Sequence, residues 1–259
     1  MPAGNCRGAT GLSPCLMRRI KIQVAYDGGG FHGWQVQPGL PTIQGLLERV
    51  IAEIESKPVP VAGSGRTDAG VHALGQVAAF SLENPIPPLN LKRAMNRLLP
   101  PTVRILTVDE VHPDFHPRFA ARAKTYEYRM AREEVCSPFE WPFVHHYPYP
   151  LDEERMSRLA AVFAGEHDFT AFAASDDRDD EGKSKVRSIF ASTLQRRGGH
   201  LIYRVRGSGF LKHMVRNLVG TLIEAGKGNI LDLEALPEKS GPTAPAKGLF
   251  LIDVEYGTK

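Results

Sequence analysis

A glycine-rich segment, GSGRTDAGVHALGQVAAF at residues 63–80, places an arginine and an aspartate two positions apart. If the backbone is extended there, the side chains of Arg66 and Asp68 point the same way. A carboxylate near a guanidinium stays ionised even when water is partly excluded, so Asp68 is a candidate nucleophile or base. The alternative is an aspartate that only caps a turn. A Walker-type phosphate loop is not indicated, because its Lys followed by Ser or Thr is missing.

A second candidate lies in TYEYRM at residues 125–130. Strand alternation predicts Tyr126 and Tyr128 on one face, with Glu127 and Arg129 on the other. Tyrosines on a buried face are usually core residues. A tyrosine at the edge of a cleft can instead stack on a nucleic-acid base and offer its hydroxyl. The spacing leaves both interpretations open.

Basic residues are concentrated late in the chain: residues 185–216 carry eight Lys or Arg and no Asp or Glu, although the net charge is only +3. Such a run can be a solvated face, but its strand and helix patterning favours phosphate binding. Arg204 and Arg206 share one face of a predicted strand. Lys212 and Arg216 share one margin of a predicted helix, where the alternative is a snorkelling stem. There the guanidinium of Arg216 could form a bidentate pair with a carboxylate in a cleft.

Composition limits the class of protein. With 259 residues, of which 42% are hydrophobic, the chain can form one large core or two modest domains. Apolar runs fall short of the roughly 20 residues that span a bilayer, and residues 1–17 lack the apolar core of a signal peptide, so we expect a cytoplasmic protein. The three cysteines form no CxxC pair and the histidines have no ligand spacing, so no disulfide framework or metal site is predicted.

Hydrophobic periodicity predicts the same order of elements twice. The first set is strand 19–26, helix 42–55, strand 58–62, strand 72–82, helix 90–99 and strand 103–111. The second set is strand 122–131, helix 151–164, strand 185–196, a Gly198-Gly199 turn, strand 200–207, helix 210–226 and strand 248–256.

These patterns predict an α+β fold of two βαββαβ halves, ferredoxin-like or RRM-like, with antiparallel sheets and an active-site cleft between them. The predicted division is a disordered leader at 1–17, an N-terminal half at 18–114 and a C-terminal half at 115–259. An acidic stretch at 175–182 predicts a solvated loop.

The segment GRTDAGVHALGQVAAF resembles the signature of the TruA family of tRNA pseudouridine synthases. The resemblance continues in order from Arg18 onward through six further segments. They are AYDGGGFHGWQVQP (25–38), TIQG (42–45), FHPRFAARAKTYEYRM (115–130), HDFTAF (167–172), SKVRSI (184–189) and GFLKHMVRNLVGTLIEAGKG (209–228).

The resemblance implies that Asp68 is the catalytic aspartate, Tyr126 the tyrosine that stacks on the target uracil, and Arg216 the partner of Asp68. It implies that Arg66 helps to place the flipped nucleotide, and we expect Arg204, Arg206 and Lys212 to bind substrate. It also implies a homodimer without metal or organic cofactor that isomerises uridines 38–40 in the anticodon arm of tRNA. The glycines around Asp68 would then let RNA backbone approach.

Two rivals remain on the residues alone. A non-catalytic RNA-binding module with two RRM-like halves would keep the basic face but would not need Asp68. A phosphate-cradling hydrolase would need metal-binding carboxylates or a Walker lysine.

Overall fold

The computed structural model describes residues 17–174 and 184–257. The predicted acidic loop at 175–182 and all of the predicted leader except Met17 lie outside this range. The strands are β1 (Arg18–Tyr26), β2 (Ala62–Gly63), β3 (His72–Leu82), β4 (Val103–Val111), β5 (Ala121–Ala131), β6 (His145–His146), β7 (Gly165–Asp168), β8 (Val186–Arg197), β9 (His200–Gly207) and β10 (Leu249–Tyr256). The helices are α1 (Ile43–Glu55), α2 (Pro88–Leu98), α3 (Glu153–Val162) and α4 (Met214–Gly226).

One largely antiparallel sheet joins all these strands, in the order β4-β1-β3-β10-β5-β9-β8-β7, with β2 paired to β3 and β6 to β5. The predicted α+β class is confirmed. Strands β3 and β10 run parallel through two residue pairs, Phe250 with His72 and Leu251 with Ala73. This short contact makes a single sheet where the sequence predicted two.

The helices are positioned by burial of their apolar stripes. Helix α1 buries Ile43, Leu47, Val50 and Ile51, and its predicted cap is confirmed: the Thr42 hydroxyl accepts a hydrogen bond from Gly45 N at 3.3 Å. Most of α4 is buried as well, within one hydrophobic cluster that includes side chains of all four helices. Each large apolar side chain buried in this way stabilises the fold by about 1.5–3 kcal/mol, so α4 is a firm support for residues at its start.

The structure differs from the predicted elements at two places near the cleft. The predicted strand 58–62 is reduced to β2, since α1 side chains take the main-chain groups of Val61: Glu48 Oε1 accepts from its N–H and Gln44 Nε2 donates to its carbonyl. Helix α4 begins at Met214 and not at residue 210. Its N-terminal neighbour His213 has a left-handed backbone with φ of 61°, which a helix cannot include.

Two short strands, β6 and β7, were not predicted because they lack alternating patterns of useful length. Among the described residues, none of the helices is long and apolar enough to cross a membrane.

Candidate active site

The first half of the loop between β2 and β3 is fixed by buried and partly buried hydrogen bonds. The Ser64 hydroxyl donates to Gln76 Oε1 at 2.6 Å, and Gln76 Nε2 donates to the Gly65 carbonyl at 3.0 Å. Lys124 Nζ, from β5, donates to the Ser64 carbonyl at 2.7 Å. Since buried polar groups in native proteins are paired, these bonds hold this part of the loop in one conformation.

The second half of the loop turns directly after Asp68. Val71 N donates to the Asp68 carbonyl at 3.1 Å, and Gly70 between them has φ of 77°, which glycine adopts at little steric cost. On the other side, Trp34 N donates to the Thr67 carbonyl at 3.0 Å. The Asp68 carboxylate is therefore carried on a backbone that is held before and after it.

The glycines at the start of this loop make room for protein side chains. A Cβ at Gly63 would lie 2.5 Å from Trp34 Cε2, and one at Gly65 would lie 2.6 Å from Lys124 Nζ. Real Cβ atoms essentially never approach non-bonded atoms within 3.0 Å, so a side chain at either position would displace its neighbour. The space that the sequence assigned to RNA backbone is occupied here by Trp34 and Lys124.

Asp68 forms an ion pair with Arg216, a residue 148 positions away in the first turn of α4. Arg216 Nη1 lies 3.1 Å from Asp68 Oδ2, and Arg216 Nε donates to the Ala244 carbonyl at 2.8 Å. The bond to Asp68 is single and not bidentate as predicted, because the carbonyl takes Nε. The Asp68 side chain is only 27% exposed and that of Arg216 only 16%, so water screens the pair weakly.

His213 is a third group at this ion pair, and the sequence analysis did not single it out. Its Nε2 atom lies 3.6 Å from Asp68 Oδ2. The left-handed backbone at His213 ends the preceding loop directly before α4. Because Asp68 Oδ2 lies close to both His213 and Arg216, the carboxylate is near the N-terminal end of α4, where the helix dipole is positive. The available signal was the spacing, since His213 lies three residues before Arg216 and such residues are neighbours in a predicted helix.

Residues 210–213, which precede α4 in the structure, were predicted as its first turn. In the structure Met214 N closes a turn on the Leu211 carbonyl at 3.2 Å, before the helix begins. Lys212 is therefore a loop residue of the cleft and does not share a helix margin with Arg216, which corrects that prediction.

Tyr126, on β5, lines the same cleft as Asp68 and is 7% exposed. Its ring meets Phe210 edge-on, with 5.0 Å between the ring centroids. Burial, together with nearby Tyr26 and Asp68, raises the pKa of the Tyr126 hydroxyl, which therefore remains a proton donor at neutral pH. The predicted alternation is confirmed, because Tyr126 and Tyr128 are both buried while the charged residue between them is less so.

These groups line a cleft of about 810 Å³ between residues 32–71 and residues 116–249. Its basic side chains are Arg66, Arg118, Lys124, Lys212 and Arg216, with the histidines 32, 116 and 213. Within the described part of the chain, Asp68 is the one carboxylate of this lining. A cleft with low-dielectric walls focuses the electric field of the charges that line it. The positive potential of this cleft therefore favours binding of a polyanion, with Asp68 as the single acidic group of the described lining.

Lys124 is a cleft residue that the sequence analysis missed. Burial, with a smaller effect from Arg118, lowers the pKa of the Lys124 ammonium to about 8. The signal was present in KTYEY: Lys124 is two positions before Tyr126 on the same strand, and strand alternation places both on one face.

The other predicted binding residues are distributed between the cleft and the sheet. Arg66 lines the cleft, and its Nε donates to Gln35 Oε1 at 3.1 Å. Arg204 and Arg206 lie on β9 outside the cleft lining. Arg206 forms a two-bond pair with Glu255, both bonds being 2.7 Å. Phosphate contact by Arg204 and Arg206 stays a prediction.

No group of three or more His, Cys, Asp or Glu side chains in the described ranges, 17–174 and 184–257, is arranged to hold a metal ion.

Comparison with known proteins identifies the family to which this chain belongs. A family model described as tRNA pseudouridine synthase matches residues 22–120 and 159–257. The chain belongs to the TruA family of tRNA pseudouridine synthases. This membership confirms the predicted family and the enzyme class, an isomerase that acts on tRNA.

The relatives of this TruA-family chain align over nearly its whole length. The tRNA pseudouridine synthase A of Solibacter usitatus (strain Ellin6076) is 74% identical over 240 residues, which cover 93% of this chain and 100% of that protein. Proteins of the same name from Limosilactobacillus fermentum and Lacticaseibacillus casei are 45% and 41% identical, each over 93% of this chain and 96% or 100% of their own.

Proposed function

We propose that this chain acts in the cytoplasm and converts uridine to pseudouridine at positions 38, 39 and 40 in the anticodon arm of tRNA. The observation that carries the proposal is the ion pair between Asp68 and Arg216 inside a basic cleft. The names of the relatives support tRNA as the substrate. The three tRNA positions follow from the resemblance of the sequence motifs.

The proposed reaction moves the uracil within one nucleotide. The bond from N1 to C1′ breaks, the base turns, and a bond forms from C5 to C1′. The proton on C5 is lost and N1 gains one, so atoms and electrons balance within the substrate. The proposal therefore requires no redox cofactor, group carrier or metal.

We assign the start of this reaction to Asp68. Its carboxylate attacks C1′, removes the C2′ proton, or adds to C6 of the uracil. All three routes use the ionised carboxylate, and all three require that it be reachable from the cleft. The partial exposure of Asp68 supports this access, while the guanidinium and the start of α4 favour negative charge at this position.

Arg216 acts through Asp68 in this proposal and is a positioning residue. The Ala244 carbonyl holds Nε, so the guanidinium offers Nη1 to the carboxylate from a fixed direction. An orientation fixed before substrate binds does not have to be established in the transition state.

Tyr126 and Arg66 handle the displaced base. Removing a uracil from its stack costs a few kcal/mol, and stacking on an aromatic side chain returns about 1–3 kcal/mol. We assign stacking to the ring of Tyr126 and placement of the flipped nucleotide to Arg66. Lys212, Arg204 and Arg206 are assigned to phosphate groups.

The architecture proposed for this function is a pair of ferredoxin-like halves, residues 18–114 and 115–259, with the cleft between them. The strand order supports it: the first half is ordered β4-β1-β3-β2 and the second half β10-β5-β9-β8. In both halves the last strand lies beside the first, which is followed by the third strand and then the second. We also propose that two copies of the chain form a homodimer, as the family resemblance implies.

A non-catalytic RNA-binding module is the alternative; turnover by the wild-type chain separates it from the enzyme, and Asp68→Asn tests whether Asp68 carries the catalysis. The amide keeps size and polarity, so folding and tRNA binding should persist, while a single turnover should form no pseudouridine. The matched control is Asp27→Asn. Asp27 lies outside the cleft lining and bonds Gly29 N through Oδ1 at 2.9 Å, a bond that asparagine retains.

The measurement is pseudouridine mapping on unmodified tRNA for the wild-type chain and both variants. Pseudouridine formed by the Asp68→Asn chain at the wild-type rate, with deamidation excluded by mass spectrometry, would contradict the assignment of catalysis to Asp68. A wild-type chain that binds tRNA but forms no pseudouridine would favour the binding module.

A further inference from the structure

The connector between β4 and β5 presents an exposed aromatic side chain that has no role in the proposed reaction. Phe119 is 78% exposed, although burying a phenylalanine ring is favourable by about 1.5–3 kcal/mol. Its ring lies beside the His116 ring, with 4.4 Å between centroids and 35° between planes, and Arg118 Cζ is 5.8 Å from its centroid.

The exposed ring is held on a rigid turn. The Ala120 N–H donates to the His116 carbonyl at 3.0 Å, and the Tyr256 hydroxyl donates to the Pro117 carbonyl at 2.8 Å. Arg19 Nε donates to the carbonyl of Phe115, directly before the turn, at 3.1 Å. Because the backbone that carries the ring is already held, it loses little conformational freedom when a ligand covers the ring.

The turn is continuous with the cleft, because His116 and Arg118 both line it. Arg118 N donates to His116 Nδ1 at 3.2 Å, so this nitrogen is an acceptor and the imidazole is neutral. Burial, Arg19 and Arg118 lower the pKa of His116 in the same direction. The rim of the cleft therefore carries two flat uncharged rings beside a guanidinium.

We propose that Phe119 and His116 form a stacking platform for an unpaired base of the RNA substrate, with Arg118 binding the phosphate of that nucleotide. The proposal rests on the proposed function, since it places the base next to the uridine that enters the cleft. Aromatic rings combined with a cation are the usual means of holding single-stranded nucleic acid. The cationic lining that continues from Arg118 into the cleft favours RNA over an apolar protein surface as the occupant.

The test compares Phe119→Ala and Phe119→Trp, with Phe139→Ala as control for removal of an equally exposed ring, 88% exposed and outside this cleft. Affinity for unmodified tRNA is measured in the Asp68→Asn background, and single-turnover pseudouridine formation with Asp68 intact. Phe119→Ala should bind tRNA about 5- to 100-fold more weakly, Phe119→Trp should keep wild-type affinity, and Phe139→Ala should bind as wild type.

An abasic scan of the unpaired anticodon-arm nucleotides identifies the stacked base. At one position, loss of the base should weaken binding to the chain with Phe119 but not to the Phe119→Ala chain. A scan with no such position, or a Phe119→Ala chain equal to wild type in affinity and rate, would overturn the platform.

Two further outcomes distinguish the stacking platform from a protein interface and from failure of the proposed function. If Phe119→Ala changes the oligomeric mass in light scattering, and its loss of affinity is recovered at higher protein concentration, the ring belongs to a protein interface and the platform is wrong. A wild-type chain that binds tRNA but forms no pseudouridine would overturn the proposed function. An active wild-type chain together with a Phe119→Ala chain that equals it in both affinity and rate would overturn the platform alone.

Discussion

At the scale of single residues, Arg216 is held by two acceptors from distant parts of the chain, Asp68 and the Ala244 carbonyl. We expect Arg216→Ala to lower the single-turnover rate by about 100-fold or more while tRNA affinity changes little, because the lost contact orients a reacting group and does not bind phosphate. Rapid-quench pseudouridine assays and equilibrium binding measure the two quantities separately.

Arg216→Lys is the conservative comparison. An ammonium keeps the charge beside Asp68 but cannot bond the carboxylate and the Ala244 carbonyl in the same fixed geometry. We expect a rate between those of wild type and the alanine variant. Normal turnover by Arg216→Ala, with a wild-type circular dichroism spectrum, would show that the ion pair is not used in catalysis.

Lys124 should make the affinity for tRNA depend on pH. Its pKa is lowered to about 8, so the ammonium is present below pH 8 and is lost from the free protein as pH rises through that value. Because RNA binds the charged form, tRNA affinity should decrease from about pH 8 upward, by up to about tenfold for a charge-assisted contact of roughly 1.5 kcal/mol. Fluorescence anisotropy between pH 7 and 9.5 measures this decrease.

Lys124→Met controls for titration of the RNA bases, which lose protons in part of the same range. The methionine chain should bind more weakly at pH 7, and its affinity should decrease less than that of wild type above pH 8. If the two chains lose affinity in parallel, Lys124 does not account for the pH dependence.

At the scale of elements, α4 is joined to the segment that carries Ala244 through a glycine. A Cβ at Gly220 would overlap the Pro242 carbonyl oxygen. Alanine in a helix interior is ordinarily about 1 kcal/mol more favourable than glycine. Here we expect Gly220→Ala to lower the free energy of unfolding by about 1–3 kcal/mol, and to slow turnover because the segment that holds Arg216 must move. Urea denaturation and single-turnover assays measure both effects.

Gly30→Ala is the matched control, since a Cβ at Gly30 meets no atom within 4 Å. It should leave the free energy of unfolding within about 0.5 kcal/mol of wild type. A Gly220→Ala chain that is more stable than wild type would show that helix propensity outweighs the contact with Pro242.

The elements also show how far sequence could predict this site. Periodicity predicted α1 and β3–β5 closely, and alternation placed Tyr126 on a buried face, because these patterns are local. The start of α4 was placed wrongly, since nothing in FLKHM marks His213 for a left-handed backbone. The single bond from Arg216 to Asp68 depends on the Ala244 carbonyl, a tertiary neighbour that spacing along α4 cannot identify.

At the scale of the whole molecule, the distribution of charge should determine RNA affinity more than the net charge does. The net charge is only +3, and several cations of the basic run at 185–216 already have acidic partners: Arg196 with Glu153, Arg206 with Glu255 and Arg216 with Asp68. The cleft combines three cations from outside this run, Arg66, Arg118 and Lys124, with Lys212 from within it, around one carboxylate. RNA affinity should therefore depend on the cleft more than on the run that the sequence emphasised.

Salt dependence tests this distribution. If Arg66, Arg118, Lys124 and Lys212 each bind a phosphate, counterion release should weaken tRNA binding by about 100-fold between 50 and 200 mM salt, since each contact adds about 0.7–0.9 to the slope of log affinity against log salt. Arg66→Gln combined with Arg118→Gln should reduce that slope by about 1.5. Arg204→Gln combined with Arg206→Gln tests the β9 assignment: a reduction of about 1 or more supports phosphate contact there, and an unchanged slope removes β9 from the RNA surface. An affinity that stays flat across this salt range would contradict phosphate binding by the cleft altogether.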